Sequence, residues 1–207
     1  MKNRRAMRFW PIYLLIAALS IVMVNFTFSL INRPKENEVF NIFIASYGCD
    51  GNSIREKLQK QEDYPSGIRR FYVENGILGT NQYDTKKKGL SYSIADLMVF
   101  PLSQLDTLDK YSDFCHGFDT KFATDYFHFD ENSDFLMSEE KVYGFKVYDA
   151  SSKNGIFSEY IKYENNELSE DYYLIFKKTS IHLGESIQNS QTDYALIIGR
   201  DFLQYGK

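Results

Sequence analysis

The longest apolar run comes first. Residues 9–31, FWPIYLLIAALSIVMVNFTFSLI, hold 23 positions without a charge. At about 1.5 Å per residue, a helix of that length crosses a hydrocarbon core of about 30 Å. Beyond it the pattern breaks into short units. After the polar segment NRPKENE (32–38), VFNIFIAS (39–46) reads as a mostly buried strand. A helix follows, with Ser53 and Glu56 at capping-box spacing, Ile54 and Leu58 on one face, and DYPSG (63–67) as the stop. RRFYVEN (69–75) predicts a second strand, and GILGTNQYDTKKKGLSYS, rich in turn residues without a helical period, predicts a hairpin or ordered loop. SIADLMVF (93–100) predicts a third strand, ended by Pro101, with Ser103 and Asp106 starting a second helix over SQLDTLDKY. Residues 112–135 carry no clear period. KVYGFKVYDA (141–150) and DYYLIFKK (171–178) predict two further strands. TDYALIIGRDFLQ (192–204) predicts an amphipathic helix with Ala195, Leu196, Ile198, Phe202 and Leu203 on one broad face. Two strand–turn–helix units with buried strands predict an α/β domain, its sheet mixed but mostly parallel with flanking helices, preceded by one transmembrane helix.

Charge sets the expected orientation. Lys2, Arg4, Arg5 and Arg8 precede the apolar run, no acid occurs in the first 31 residues, and Arg33, Lys35 and Glu36 behind it are a weaker positive bias. That asymmetry predicts a cytoplasmic N-terminus and an extracytoplasmic remainder in the cell membrane. A cleaved signal peptide shares this layout, but its apolar core is shorter, and Thr27-Phe28-Ser29 is a poor cleavage pattern. The preferred organisation is a basic cytoplasmic segment (1–8), a single-pass anchor (9–31), a linker (32–38) and one extracytoplasmic domain (39–207), long enough for a single core. Beyond the anchor lie all 28 acids and 20 of the 24 bases, a net charge of −8. Acidic surfaces repel phosphate backbones, so nucleic acid is not an expected partner. Lys86, Lys87 and Lys88 before Gly89 read as a solvated turn. The 17 Phe and 16 Tyr favour a sheet-rich domain.

The first strand-to-helix turn, SYGCDGNS (46–53), is the natural place to look for chemistry. A cysteine nucleophile elbow needs glycines at G-x-C-x-G spacing, and Gly48-Cys49-Asp50-Gly51 is one residue too tight. An exported hydrolase using Cys49 is therefore the weakest of three readings. Phosphate cradling fails as well, lacking both GK[ST] and G-x-G-x-x-G, while Asp50 and Glu56 repel an anion. A neutral or zwitterionic solute suits the turn better, and a plain turn with a helix cap remains the simplest account. Outside the cytoplasm Cys49 and Cys115 can form one disulfide, and bridged and free states stay equally open. Asp130-Glu131-Asn132-Ser133-Asp134 begins like a calcium loop, but Phe135 and Lys141 stand where glycine and glutamate belong, which favours a polar hairpin tip. No histidine pair has metal-ligand spacing, and neither metal nor cofactor is expected.

Three stretches carry a resemblance. ADLMVFPLSQLDTL is similar to the segment of type II extracytoplasmic solute-binding proteins in which a buried strand, often led by Asp, ends in a Pro/Ser turn before a helix. KVYGFKVYD resembles their Tyr-Gly strand, and DYYLIFKKTSIHLGESIQNSQTDYALIIGRDFL their return strand, Lys-x-Ser-like turn and terminal helix. About 20 residues separate the last two strands, where the family inserts a second lobe, and the helix expected between the second and third strands is missing. The resemblance thus implies one periplasmic-binding-protein-like lobe on a membrane anchor. It places ligand contacts at Ser46, Tyr47, Asp50 and Asn52 in the first turn, Pro101, Leu102 and Ser103 in the third-strand turn, and Tyr143 in the Tyr-Gly strand. The implied role is non-catalytic recognition, as an accessory of a transporter or a sensor, with a small solute and a permease or another envelope protein as partners. An interaction scaffold with no small ligand is the second reading.

Overall fold

A computed structural model of the chain describes residues 3–62, 64–108, 110–128, 134–164, 169–184 and 192–204. The expected calcium-like stretch therefore lies, apart from Asp134, outside the described residues. The chain divides into two compact units, Met1–Glu36 and Asn37–Lys207. The first is helix α1 (Asn3–Ile31), of which Phe9–Ile31 is long and apolar enough to cross a membrane, with its side chains exposed throughout.

The second unit runs β1 (Val39–Ser46), β2 (Gly48–Cys49), α2 (Gly51–Gln59), β3 (Arg70–Ile77), α3 (Asn81–Lys87), α4 (Leu90–Ser93), β4 (Leu97–Pro101), α5 (Leu102–Leu105) and α6 (Tyr111–Phe114). It continues with β5 (Phe118–Asp119), α7 (Thr120–Phe127), β6 (Phe135–Ser138), β7 (Lys141–Asp149), β8 (Asn154–Gly155), β9 (Ile161–Lys162), β10 (Tyr172–Phe176) and α8 (Tyr194–Gln204). The main sheet has the order β3-β1-β4-β10-β7-β5, with β6 and β8 also paired to β7. Within the described sheet the β3–β1 and β1–β4 pairings are parallel; β10 pairs antiparallel with both β4 and β7, and β7 pairs antiparallel with β5, β6 and β8. The sheet is mixed and not mostly parallel, because β10 returns between β4 and β7 instead of crossing over through a helix.

Both sheet faces are covered. Phe40, Ile42 and Ile44 of β1 pack on one face with Ile54 and Leu58 of α2, Phe127 of α7, and Ile198 and Phe202 of α8. Phe43 and Ala45 face the other side, with Tyr83 of α3, Leu105 of α5 and Cys115. Strands buried on both sides read as continuous apolar runs, which is why β1 and β4 are plain in the sequence. Every residue of both clusters lies at or beyond Phe40, so the second unit has a core of its own.

The stretch expected to be a loop, 76–93, instead contains α3 and α4, so the crossover helices between the second and third strands are present. They are too short for a period to emerge; Thr80 caps α3 and Tyr83 is its buried anchor. The second helix is likewise shorter than SQLDTLDKY suggested, a single turn (α5) entered directly from Pro101. The stretch from 112 on, which carries no clear period, completes α6 and forms β5 and α7 around Phe118, whose ring lies 5.0 Å from that of Phe176. The β6–β7 hairpin turns on Glu139 and Glu140, both at positive φ (49° and 64°), in place of the Asn-Gly pair that would announce such a turn.

At the N-terminal end of β4 a buried polar cluster ties the sheet together. Asp96, 1% exposed, accepts from the Asn41 amide at 2.8 Å and the Ser180 hydroxyl at 2.6 Å. His182 donates from Nε2 to the Val39 carbonyl at 3.0 Å, since a carbonyl can only accept. Lys177 Nζ donates to the Tyr92 carbonyl at 3.0 Å and to that of Ser93. Burial raises the Asp96 carboxyl to about 6, opposed by His182, the Ser180 and Asn41 hydrogen bonds, and Lys177.

Two outcomes follow from this packing. The folded carboxyl of Asp96 titrates above the unfolded one, so the native state binds the extra proton between about pH 4 and 6 and stability falls as pH rises through that window. Between pH 7 and 4, wild type should gain about 2–3 kcal/mol relative to Asp96→Asn in urea unfolding. Gly199 of α8 lies so close to the Phe176 ring that a methyl group there overlaps it. Gly199→Ala should therefore lower stability by about 1–3 kcal/mol despite the better helix propensity of alanine, read as a fall in melting temperature.

Candidate functional site

The crossovers define where a ligand would meet this sheet. α2 carries the chain from β1 to β3 on one face, and α3 and α4 carry it back past β1 to β4 on the other. The strand order thus reverses between β1 and β4, and in open α/β sheets the crevice beyond the strand C-termini at that point is the usual ligand site. The first and third-strand turns both emerge there.

The first turn is built more firmly than its glycines suggested. The Tyr47 amide donates to the Lys162 carbonyl at 2.9 Å and the Asp50 amide to the Tyr160 carbonyl at 2.7 Å, which frames the short β2–β9 ribbon. Neither Gly48 nor Gly51 has a positive φ. Gly51 is needed because a Cβ there would stand 2.8 Å from the Val73 carbonyl. The helix cap is Asp50, not Ser53: its carboxylate accepts from the Ser53 amide at 3.1 Å and hydroxyl at 2.7 Å. These bonds, the hydroxyl's first, hold the Asp50 carboxyl below its usual range. Asn52 is exposed in the first turn of α2. Ser46 is fully buried, its hydroxyl 2.8 Å from Asn75 Oδ1 and 3.0 Å from the Gly48 carbonyl.

In the second turn, Pro101 is buried and the Leu102 amide donates to the Asp171 carbonyl at 2.9 Å. Ser103 is held by a residue the sequence did not single out: Glu170 accepts from its amide at 2.7 Å and from its hydroxyl at 2.8 Å. Tyr47 is 43% exposed; burial first, then the charges of Glu164 and Glu170, raise the phenol above its usual value. Glu164 and Glu170 thus join Tyr47 and Ser103 in one crest, and neither has an ion-pair partner among the described residues. Beneath them Tyr172, packed against Tyr163 and Tyr148, is fully buried with its hydroxyl lacking a hydrogen-bond partner among the described residues. Burial raises its phenol, as do Tyr47, Glu170 and Glu164. No family model, curated protein or solved structure matches this chain.

Tyr143 does not belong to this crest. It lies near the start of β7, next to Gly144, which pairs with Ile175 opposite Met98, whereas the crest level of the sheet is Pro101, Tyr172 and Tyr148. Its ring instead lines a separate groove with Asp106, Tyr111 and Glu139. Another open groove, about 420 Å³, lies against β1 and β3 between Asn41, Tyr72, Glu74, Lys86, Ser91 and Ile94. Lys86 there is no free turn lysine, for it pairs with Glu74 at 3.1 Å and donates to the Asn75 carbonyl at 2.8 Å.

Both cysteines are free thiols. Cys49 packs against the core on the α2 side of the sheet and Cys115 belongs to the opposite cluster, so the sheet separates them. Burial, helped by Asp50 at Cys49, pushes each thiol up to about 12. Among the described residues no group of three or more His, Cys, Asp or Glu is arranged to hold a metal ion. At pH 8 the folded domain should react with a thiol probe on the order of a thousandfold more slowly than a free cysteine. In urea without reductant two equivalents should be labelled; none would mean a bridge.

Proposed function

We propose that this chain is a membrane-anchored recognition module whose Phe9–Ile31 helix spans the membrane and whose α/β domain faces outside the cytoplasm. The domain binds a small solute at the crest above β1 and β4 without carrying out chemistry on it, and works beside a transporter or as a sensor. The basic residues ahead of the anchor support the orientation. The observation that carries the recognition reading is the crest itself: the topological switch point holds a half-exposed tyrosine, a carboxylate fixed on Ser103 and a buried tyrosine hydroxyl that has no hydrogen-bond partner among the described residues. The resemblance to a single solute-binding lobe supports the same place. One lobe encloses only part of a ligand, so binding is weak until a second protein, such as a permease, closes over the crest.

A scaffold that contacts only proteins is the second reading, favoured by the internal use of Ser103 by Glu170 and of Asp50 by its own helix. Thermal unfolding of residues 37–207 against sugars, amino acids, peptides and amines separates the two. A solute at about 100 times its dissociation constant adds about 2.7 kcal/mol. The recognition reading expects a selective rise in melting temperature that Tyr47→Ala with Ser103→Ala abolishes while the domain stays folded. No rise for any solute would favour the scaffold.

A further inference from the structure

The open groove against β1 and β3 stands apart from the crest. In the β1–β3 register Asn41 lies opposite Tyr72 and Phe43 opposite Glu74, so these four side chains share one face of the sheet. Phe43 and Gly76 are buried under Tyr92 of α4 and Tyr83 of α3. Nearer the N-terminal ends of the strands that cover stops, and Asn41 and Tyr72 floor a groove walled by Lys86, Ser91 and Ile94. Its volume, about 420 Å³, is in the range of small-ligand pockets. The two charges that line it cancel: Glu74 pairs with Lys86 at 3.1 Å, and Lys86 also donates to the Asn75 carbonyl at 2.8 Å. Arg70, exposed and outside the lining, donates to the Tyr72 hydroxyl at 3.1 Å, which fixes the ring and leaves the phenol its own proton to give. Tyr72 and Ile94 are 47% and 38% exposed, so the groove holds apolar surface open to water. Beside them the Asn41 backbone is taken up by Asp96, while its side-chain amide makes no hydrogen bond among the described residues.

Beyond recognition at the crest, we infer that this groove is a second site and takes a neutral saccharide unit. An ionic ligand would have to split the Glu74–Lys86 pair or stay unpaired beside it, and separating a partly buried pair is costly. A wholly apolar ligand would cover the Asn41 amide and leave it with neither water nor a partner. A sugar ring avoids both penalties. Its C–H face packs on the Tyr72 ring, and its hydroxyls, each donor and acceptor, meet the two donors and the acceptor of the Asn41 amide. The Tyr72 hydroxyl donates to a sugar oxygen, and Glu74 keeps lone pairs beyond the one facing Lys86. The groove is open, so the ring can belong to a longer chain.

The experiment is an NMR titration of ¹⁵N-labelled residues 37–207, which have their own core, with maltotriose, cellotriose, mannotriose and chitotriose. Glucuronate, glucosamine and N-acetylalanine amide are the comparisons. At least one trisaccharide is expected to give saturable shifts in the Asn41 side-chain amide and in the backbone amides of Tyr72 and Glu74. Binding should be at least tenfold weaker in Tyr72→Ala, weakened in Asn41→Ala, and largely kept in Tyr72→Phe, which retains the ring and serves as the folded control. Tyr47→Ala with Ser103→Ala should leave it unchanged, because the crest is elsewhere. Equal binding of glucuronate or glucosamine would overturn the neutral selection, and equal binding of N-acetylalanine amide would overturn the saccharide assignment. Binding that survives Tyr72→Ala but is lost in Tyr47→Ala with Ser103→Ala would move the sugar to the crest, overturning the groove and supporting the crest. Shifts from none of the trisaccharides at Asn41 and Tyr72 would overturn the groove and leave the crest to its own test.

Discussion

Burial of β1 on both faces is the constraint from which the rest follows. Phe40, Ile42 and Ile44 point one way and Phe43 and Ala45 the other, all at most 1% exposed. A strand with two apolar faces is stable only if helices cover each, and at roughly 1.5–3 kcal/mol per large side chain the demand is strong. It is met by sending the chain from β1 to β3 under one face and back to β4 under the other. The reversal between β1 and β4 is a by-product of that coverage. So the crest, where function is proposed, is positioned by the hydrophobic requirement of a strand buried on both faces.

Polar groups are handled in opposite ways at the two ends of the strands. At the N-terminal end of β4 the buried Asp96 is enclosed by an amide, a hydroxyl, an imidazole and an ammonium, so its charge is spread over fixed partners. Asp96 stands just before β4 and Ser180 in the segment after β10, and their hydrogen bond fastens the two together. At the other end, Glu170 accepts from the amide and hydroxyl of Ser103, and the Tyr172 hydroxyl is buried with no hydrogen-bond partner among the described residues.

The elements legible in advance were those whose signal is local. β1 was read to the residue, β3, β7 and β10 to within two, and α8 by its apolar face, because burial writes its period into the side chains. α3, α4 and α5 were missed or overextended because four to seven residues are too few to show a helical period. The box spacing puts the cap of α2 on Ser53, but the helix starts three residues earlier: the Asp50 carboxylate accepts from both the amide and the hydroxyl of Ser53, which leaves Ser53 inside the first turn. Tyr47 and Ser103 lie at the two turns that meet at the crest, whereas Tyr143 lies away from it, because antiparallel β10 sets the level of β7 and no local pattern reports that register.

By itself, the sequence determined the apolar N-terminal helix, the α/β class, the buried strands, the acidic balance of the domain and the two turns that meet at the switch point. All of these follow from the composition and spacing of residues near one another in the chain. Only the tertiary structure decided that the sheet is mixed, that Cys49 and Cys115 lie on opposite sides of it, and that Glu164, Glu170 and Tyr172 join Tyr47 and Ser103. Those facts depend on β10 inserting between β4 and β7, which brings residue 170 against residue 103. Contacts across some 67 positions arise from the packing of whole elements and leave no periodic trace in the sequence.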